Sequence, residues 1–316
     1  MIFILTEAND EPTSRVIDVL RKCNTSVLRV NLDENYLGFS FNLDMLNQTG
    51  INIYYDGVER KIDSKDVFWF RRGNFGSYLF INDDKNLSFI DFIAEEKKAL
   101  EVFLSKVILK RHYCIGNPNI HNIGKLEVLL AAKSVALRIP KSYVTYKKSV
   151  LIETGINKFV CKPFSDVLFM DSENSLYHTF IEEYEVSKLK NYFGNSFFQE
   201  AVDFDQEIRL LCVERKIFAV KYSHKIRGHV DSRHQSNSGE FYERTKLSEE
   251  VQQSIFNLCK LLQTNFAVID LLVDKSGLLW FIDFNPCGQY DEIYEHCYPE
   301  IDEYIANLLY EKELNQ

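Results

Sequence analysis

The chain opens on an unbroken apolar run, Ile2 to Leu5, the pattern of a strand buried on both faces. Asn9 and Asp10 follow, then Pro12, and Val16, Ile17, Val19 and Leu20 recur at helical spacing. A cap, an early proline and one apolar stripe predict an amphipathic helix. Val27 to Asn31 reads as a second strand, so the opening is a β-α-β unit of a small doubly wound domain. No G-x-G-x-x-G accompanies it, which argues against a dinucleotide site. Asp56-Gly57 between INIYY and VERKI predicts a hairpin, and Asp66 to Phe70 predicts a strand ending on Arg71-Arg72-Gly73. From Ser88 to Tyr113 the apolar positions turn helical, and Gly116-Asn117-Pro118 breaks the pattern at a domain boundary.

Lys125 to about Leu137 predicts another helix. Residues 142–170 are β-rich, with Lys158 to Lys162 (KFVCK) a strand closed by Pro163. TFIEEYEV, SFFQEAV, EIRLLCV and KIFAVKYS then predict short strands of an antiparallel sheet, with Glu214-Arg215-Lys216 as one turn. Residues 227–245 are polar and form a long loop, a feature of functional segments in compact domains. Ser248 caps a helix to Gln263, and the strands Phe266 to Val273 and Leu278 to Phe284 follow. The fold class is therefore α/β (α+β), in three stretches: 1–115, 116–198 and 199–316.

Length and composition narrow the functional classes. The 316 residues suffice for two or three packed units, and 46% hydrophobic with 26% charged residues is an ordinary globular composition. With 37 Lys and Arg against 46 Asp and Glu, the net charge of −9 argues against a nucleic-acid partner, yet leaves room for a locally basic cleft. Seven cysteines stand singly with no C-x-x-C, the usage of a reducing compartment. No apolar window is long enough for a membrane span, and no basic signal region precedes the first strand. The expectation is a cytoplasmic protein.

The chemistry concentrates near the end of the chain. Asp270 lies inside an apolar strand (AVIDLLV), where an unpaired carboxylate is costly. Asp283 and Asn285 lie two apart in the next strand (LWFIDFNP) and face one way. A hairpin would gather three oxygen ligands, enough to hold Mg²⁺ with phosphate oxygens and water. A D-x-N pair alone is also how many strands end in a turn. Lys162 and Lys125 are point-charge candidates for phosphate, although a strand-end or helix-start lysine is ordinarily solvated. Gln199, Glu200 and Val202 could present main-chain groups to an adenine edge, and Glu207 could bond ribose hydroxyls. Arg209 shares a face with Glu207, which equally describes a surface ion pair. Asp231, Arg233 and His234 sit in the polar loop, which suits an anion clamp or an ordinary surface loop.

Taken in order, these residues resemble the ATP-grasp ligases: Lys125 in GKLEVLLAAKSVALRIP, Lys162 in VCKPF, Gln199-Glu200, Glu207-Ile208-Arg209, Asp231-x-Arg233, Asp270, and Asp283-x-Asn285-Pro286. The resemblance spans roughly residues 116–295 and implies an ATP-grasp fold with an N-terminal pre-ATP-grasp domain. It implies that Lys125 and Lys162 bind ATP phosphates, that Glu200 to Val202 form the adenine hinge, that Glu207 meets the ribose, and that Asp270, Asp283 and Asn285 hold Mg²⁺. Members often carry Glu where Asp283 stands. FWFRRG (Phe68 to Gly73) and FNPCGQY (Phe284 to Tyr290) look like the graspetide synthetases, which join Asp or Glu side chains of a ribosomal precursor peptide to its Ser, Thr or Lys side chains. That likeness implies a leader-plus-acidic-core peptide as partner and a homodimer. It implies Arg71, Arg72, Asp231, Arg233 and His234 as substrate contacts, with Arg209 and Arg233 in catalysis. An ATP-grasp ligase adding an amino acid to a small acceptor or protein tail, and a nucleotide-binding scaffold without activity, are the competing expectations.

Overall fold

The computed structural model describes residues 1–32, 37–43, 50–73, 75, 87–121, 123–156, 158–164, 169–171, 174–176, 182–223 and 241–315. The chain divides into two compact units. The first comprises Met1–His121, Gln263–Ala267 and Pro286–Gln316; the second comprises Asn122–Leu262 and Val268–Asn285.

In the first unit, β1 (Ile2–Thr6), α1 (Glu11–Lys22) and β2 (Val27–Asn31) form the expected opening. Asp10 caps α1 by accepting from the Thr13 N–H at 3.1 Å. Strands β3 (Leu37–Ser40), β4 (Asn52–Tyr55) and β5 (Val58–Lys61) make an antiparallel meander. Asp56 and Gly57 connect its last two strands with φ of 48° and 76°, the doubly positive turn that Asp-Gly favours. β6 (Val67–Phe70), the 25-residue helix α2 (Leu87–Arg111) and β7 (Cys114–Ile115) complete a parallel sheet of order β2-β1-β6-β7. Its continuous burial explains why β1 and β6 lack polar alternation. One core joins this sheet to the meander, with Phe3 stacked on Phe68 at 4.9 Å. Gly116 is obligatory: its φ is +78°, and a Cβ would stand 2.6 Å from the Phe70 carbonyl oxygen.

In the second unit, α3 (Lys125–Ser134) ends three residues before the sequence pattern suggests, because Ala136 turns left-handed at φ 65°. Strands β8 (Ser142–Lys147) and β9 (Lys158–Lys162) flank the short helix α4 (Lys148–Glu153). The small β10 (Phe169–Asp171)–β11 (Asn174–Leu176) hairpin follows, then β12 (Glu182–Glu185) and β13 (Tyr192–Glu200). These build an antiparallel sheet of order β12-β9-β13-β8. The second sheet is β16-β15-β14-β17-β18, from β14 (Phe204–Val213), β15 (Lys216–Ser223), β16 (Phe241–Thr245), β17 (Phe266–Asp274) and β18 (Leu279–Asn285), with α5 (Glu249–Leu261) between β16 and β17.

The contiguous stretch 199–316 does not stay together. Residues 286–316 form α6 (Asp291–His296) and α7 (Ile301–Leu314) and belong to the first unit. Arg15 of α1 draws them there, donating to Asp302 at 2.5 Å and Asp291 at 2.9 Å, while the Tyr290 hydroxyl donates to Asp302 at 2.8 Å. Ile301, Ile305 and Leu309, spaced by four, carry no exposed surface.

Candidate active site

In the second unit, the β12-β9-β13-β8 sheet separates its faces by alternation. Phe159 and Phe198 point into a core with Leu151 and Val186. Lys162 stands opposite Phe197 in the ladder, on the other face, and Gln199 lies on that same face. Gln199 is buried, its amide donating to Ser142 Oγ at 3.1 Å, so it braces β13 against β8. The Glu200 N–H bonds the Lys141 carbonyl at 2.8 Å and the Ala201 N–H bonds the Lys158 carbonyl at 3.1 Å. Of the three hinge amides, only that of Val202 has no backbone partner among the described residues.

In the other sheet, Ile208, Leu210 and Cys212 are buried, and Cys212 lies 3.9 Å from Cys259 of α5. Glu207 and Arg209 alternate to the opposite side. Arg209 donates to both Asp270 oxygens, at 2.9 and 3.1 Å. The Glu207 carboxylate accepts from the Tyr222 hydroxyl at 2.6 Å, Tyr222 being directly opposite in the ladder.

Asp270 faces Asp283 across the β17–β18 pair, and Asn285 faces Val268. A bulge makes this possible. In a regular strand Phe281 and Asp283, two apart, share a side. The register shifts between Asp270 and Leu271, so that Leu271 pairs with Phe281 and Ile282 is left over. Phe281 and Phe284 therefore stay in the core, while Asp283 turns to the side of Asp270. Two carboxylates directly opposite repel. Arg209 offsets part of that, and Lys162 feels the rest: Asp283 and Asp270 hold its proton on, Lys125 pushes it off, and burial, the strongest influence, lowers its pKa from 10.5 to about 8. Buried Lys162 thus lies within electrostatic reach of Lys125, Asp270 and Asp283. Asp274, the last residue of β17 and four positions past Asp270, braces the β17–β18 turn, accepting from Ser276, Leu278 and Trp280.

The donor set fits Mg²⁺: two carboxylates and an amide are hard oxygen ligands, too few to close a shell, which leaves positions for phosphate and water. Among the described residues there is no group of three or more His, Cys, Asp or Glu able to hold a metal by itself.

The structure gives Arg71 partners of its own within the chain. Its side chain has no exposed surface and is consumed within the first unit, where it donates to the carbonyls of Cys287 at 2.8 Å and Gly288 at 3.2 Å and to the Gln289 side chain, with the buried carboxylate of Asp10 at 3.4 Å. A strand-end arginine resembles a substrate ligand in sequence because its acceptors at Cys287, Gly288 and Gln289, 216 to 218 positions away, are invisible there. Arg72 keeps a partly exposed side chain, paired with Glu7 at 3.2 Å and Asp10 at 3.3 Å. Asp231, Arg233 and His234 lie outside the described residues. The sequence reading missed Tyr222, which is signalled only by its place opposite Glu207 in a two-residue hairpin.

The chain has the ATP-grasp fold. Its structure matches a Chryseobacterium gregarium RiPP-associated ATP-grasp ligase, described in complex with ADP and a leader and core peptide, with a TM-score of 0.76 at 19% identity, over 98% of this chain and 96% of that one. It matches the macrocyclase MdnC of Microcystis aeruginosa MRC, bound with precursor peptide MdnA, with a TM-score of 0.78 at 18% identity over 98% and 99% of the chains. The macrocyclase MdnB of the same source gives 0.73 at 19% identity over 98% of each chain. No family model and no curated protein matches the sequence. No helix among the described residues is long and apolar enough to cross a membrane.

Proposed function

We propose that this protein is an ATP-dependent ligase that macrocyclises a ribosomally made precursor peptide, joining Asp or Glu side chains to Ser, Thr or Lys side chains as esters or amides. The observation that carries the reading is the facing pair Asp270 and Asp283, with Arg209 on Asp270 and the buried Lys162 within electrostatic reach of both carboxylates and of Lys125. The fold's likeness to a macrocyclase bound with precursor peptide and to a ligase with ADP supports the substrate class.

Lys125 and Lys162 bind the triphosphate as point charges, Glu200 to Val202 receive the adenine edge with Gln199 bracing the strand behind them, and Glu207 accepts from the ribose hydroxyls. Asp270, Asp283 and Asn285 hold Mg²⁺, which supplies charge neutralisation across the phosphates. A substrate carboxylate takes the γ-phosphoryl group to give an acyl phosphate, and the peptide's own hydroxyl or amine then displaces phosphate. Such transfer asks the protein for positioning and charge stabilisation. Arg209, fixed by Asp270, serves that role, with Arg233 from the polar loop; Arg72, Asp231 and His234 contact the acidic core peptide. The protein acts in the cytoplasm as a homodimer, and its seven cysteines, spaced singly with no C-x-x-C, support the reducing compartment.

The test is incubation with ATP, Mg²⁺ and short peptides rich in Thr, Lys, Asp and Glu, followed by mass spectrometry and ADP assay. Macrocyclisation removes one water mass per ring with one ADP formed. A gain of an amino-acid mass supports the competing ligase, and absence of magnesium-dependent nucleotide binding removes the reading.

A further inference from the structure

We infer that Tyr222 is a positioning residue that gives the nucleotide site its preference for an intact ribose. The inference rests on the proposed nucleotide site and adds to it a residue with no part in the sequence motifs.

Glu207, Tyr222 and Tyr242 occupy one row across three adjacent strands: Glu207 pairs with Tyr222, and Tyr222 with Tyr242. Residues paired in this way share a face. The Tyr222 hydroxyl donates to Glu207 Oε2 at 2.6 Å, the length of a strong bond to an ionised acceptor. The Tyr222 ring is 9% exposed and lies against the Tyr242 ring at 5.7 Å. Glu207 and Arg209, two apart on β14, share that side, and Arg209 reaches Asp270, so the hydroxyl belongs to the face that carries Asp270.

A glutamate has three rotatable bonds, and holding it in one geometry at the moment of binding costs conformational entropy. A tyrosine has two, and here burial and the neighbouring ring already fix them. Tyr222 thus settles the Glu207 carboxylate before ligand arrives. An ionised carboxylate is an acceptor only. Two adjacent hydroxyls are a pair of donors that a fixed carboxylate rewards, whereas a deoxyribose offers one. A carboxylate free to rotate would adapt to either sugar and lose the distinction.

The test is equilibrium binding of ATP and 2′-deoxy-ATP, each with Mg²⁺, to the full chain by calorimetry. The wild type is expected to favour ATP by about tenfold, the worth of one charge-assisted hydrogen bond. Tyr222→Phe should bring the two affinities within about threefold while thermal melting stays cooperative. Tyr242→Ala, on the edge strand β16, removes the brace and should give an intermediate ratio; it keeps the test open should Tyr222→Phe not fold. A folded Tyr222→Phe that discriminates as well as the wild type overturns the inference, as does a wild type that binds both nucleotides equally. A wild type that binds neither overturns the nucleotide site itself.

Discussion

Arg209 donates to both oxygens of Asp270, the carboxylate that stands opposite Asp283. The arginine thereby separates two like charges and is itself aimed. The pair is partly exposed, 25% and 38%, so its worth to folding is about 1 kcal/mol or less. Arg209→Ala should therefore melt within a few degrees of the wild type yet lower ligation about 100-fold, the cost of one transition-state charge donor. Melting curves and single-turnover assays of the variant decide it; an active variant excludes Arg209 from the chemistry.

Lys162 has a pKa lowered to about 8 by burial, against an ordinary 10.5. Phosphate oxygens would restore its proton. Nucleotide binding should take up protons near pH 8, and affinity should fall by up to ~10-fold per pH unit above it. For folding the sign is opposite. The folded state loses this proton near 8 and the unfolded chain keeps it to 10.5, so this group's contribution to stability rises as pH climbs between those values. Lys162→Met should bind nucleotide more weakly yet raise the melting temperature of the ligand-free protein. Calorimetry in buffers of different ionisation enthalpy checks the uptake.

Removing one metal ligand should move the magnesium requirement before anything else. Asp283→Asn keeps size and relieves repulsion with Asp270, so the ligand-free chain should be no less stable. Its half-saturating Mg²⁺ should rise about tenfold or more. Equal magnesium titrations of variant and wild type would remove Asp283 from the metal site.

Arg71→Ala should be a folding mutation. The side chain is buried with Asp10, and truncation takes the guanidinium away from that carboxylate and from the acceptors on Cys287, Gly288 and Gln289, a loss of about 3–5 kcal/mol. Chemical denaturation measures it. A variant that folds normally but fails to turn over peptide would return Arg71 to the substrate site.

Strong local signals made much of this legible. The run Ile2 to Leu5, the Asp10 cap and the Asp56-Gly57 turn each fix geometry within a few residues, and each stands where the pattern puts it. The facing of Asp283 and Asn285 follows from strand alternation alone. What alternation does not supply is the leftover Ile282, because a bulge is set by which neighbours must be buried: Phe281 and Phe284 have to reach the core on either side of a residue that must leave it. The return of residues 286–316 to the first unit is equally hidden. Its cause is the triad of Arg15, Asp291 and Asp302, joined over 276 and 287 positions. Glu207 and Arg209 show the limit of same-face reasoning, since each has a partner on a neighbouring strand that their spacing does not reveal.

That return has an effect on how the molecule is made. The parallel sheet leaves the ribosome before the second unit, but the helices that cover α1 emerge after it. The second unit can be complete while the opening sheet still waits for its cover, with apolar surface exposed to chaperones in the meantime. Slow synthesis of residues 286–316 would prolong that exposure, and chains ended before Asp291 and tethered to the ribosome by an unrelated linker should be cleaved by protease in the first unit while the second resists.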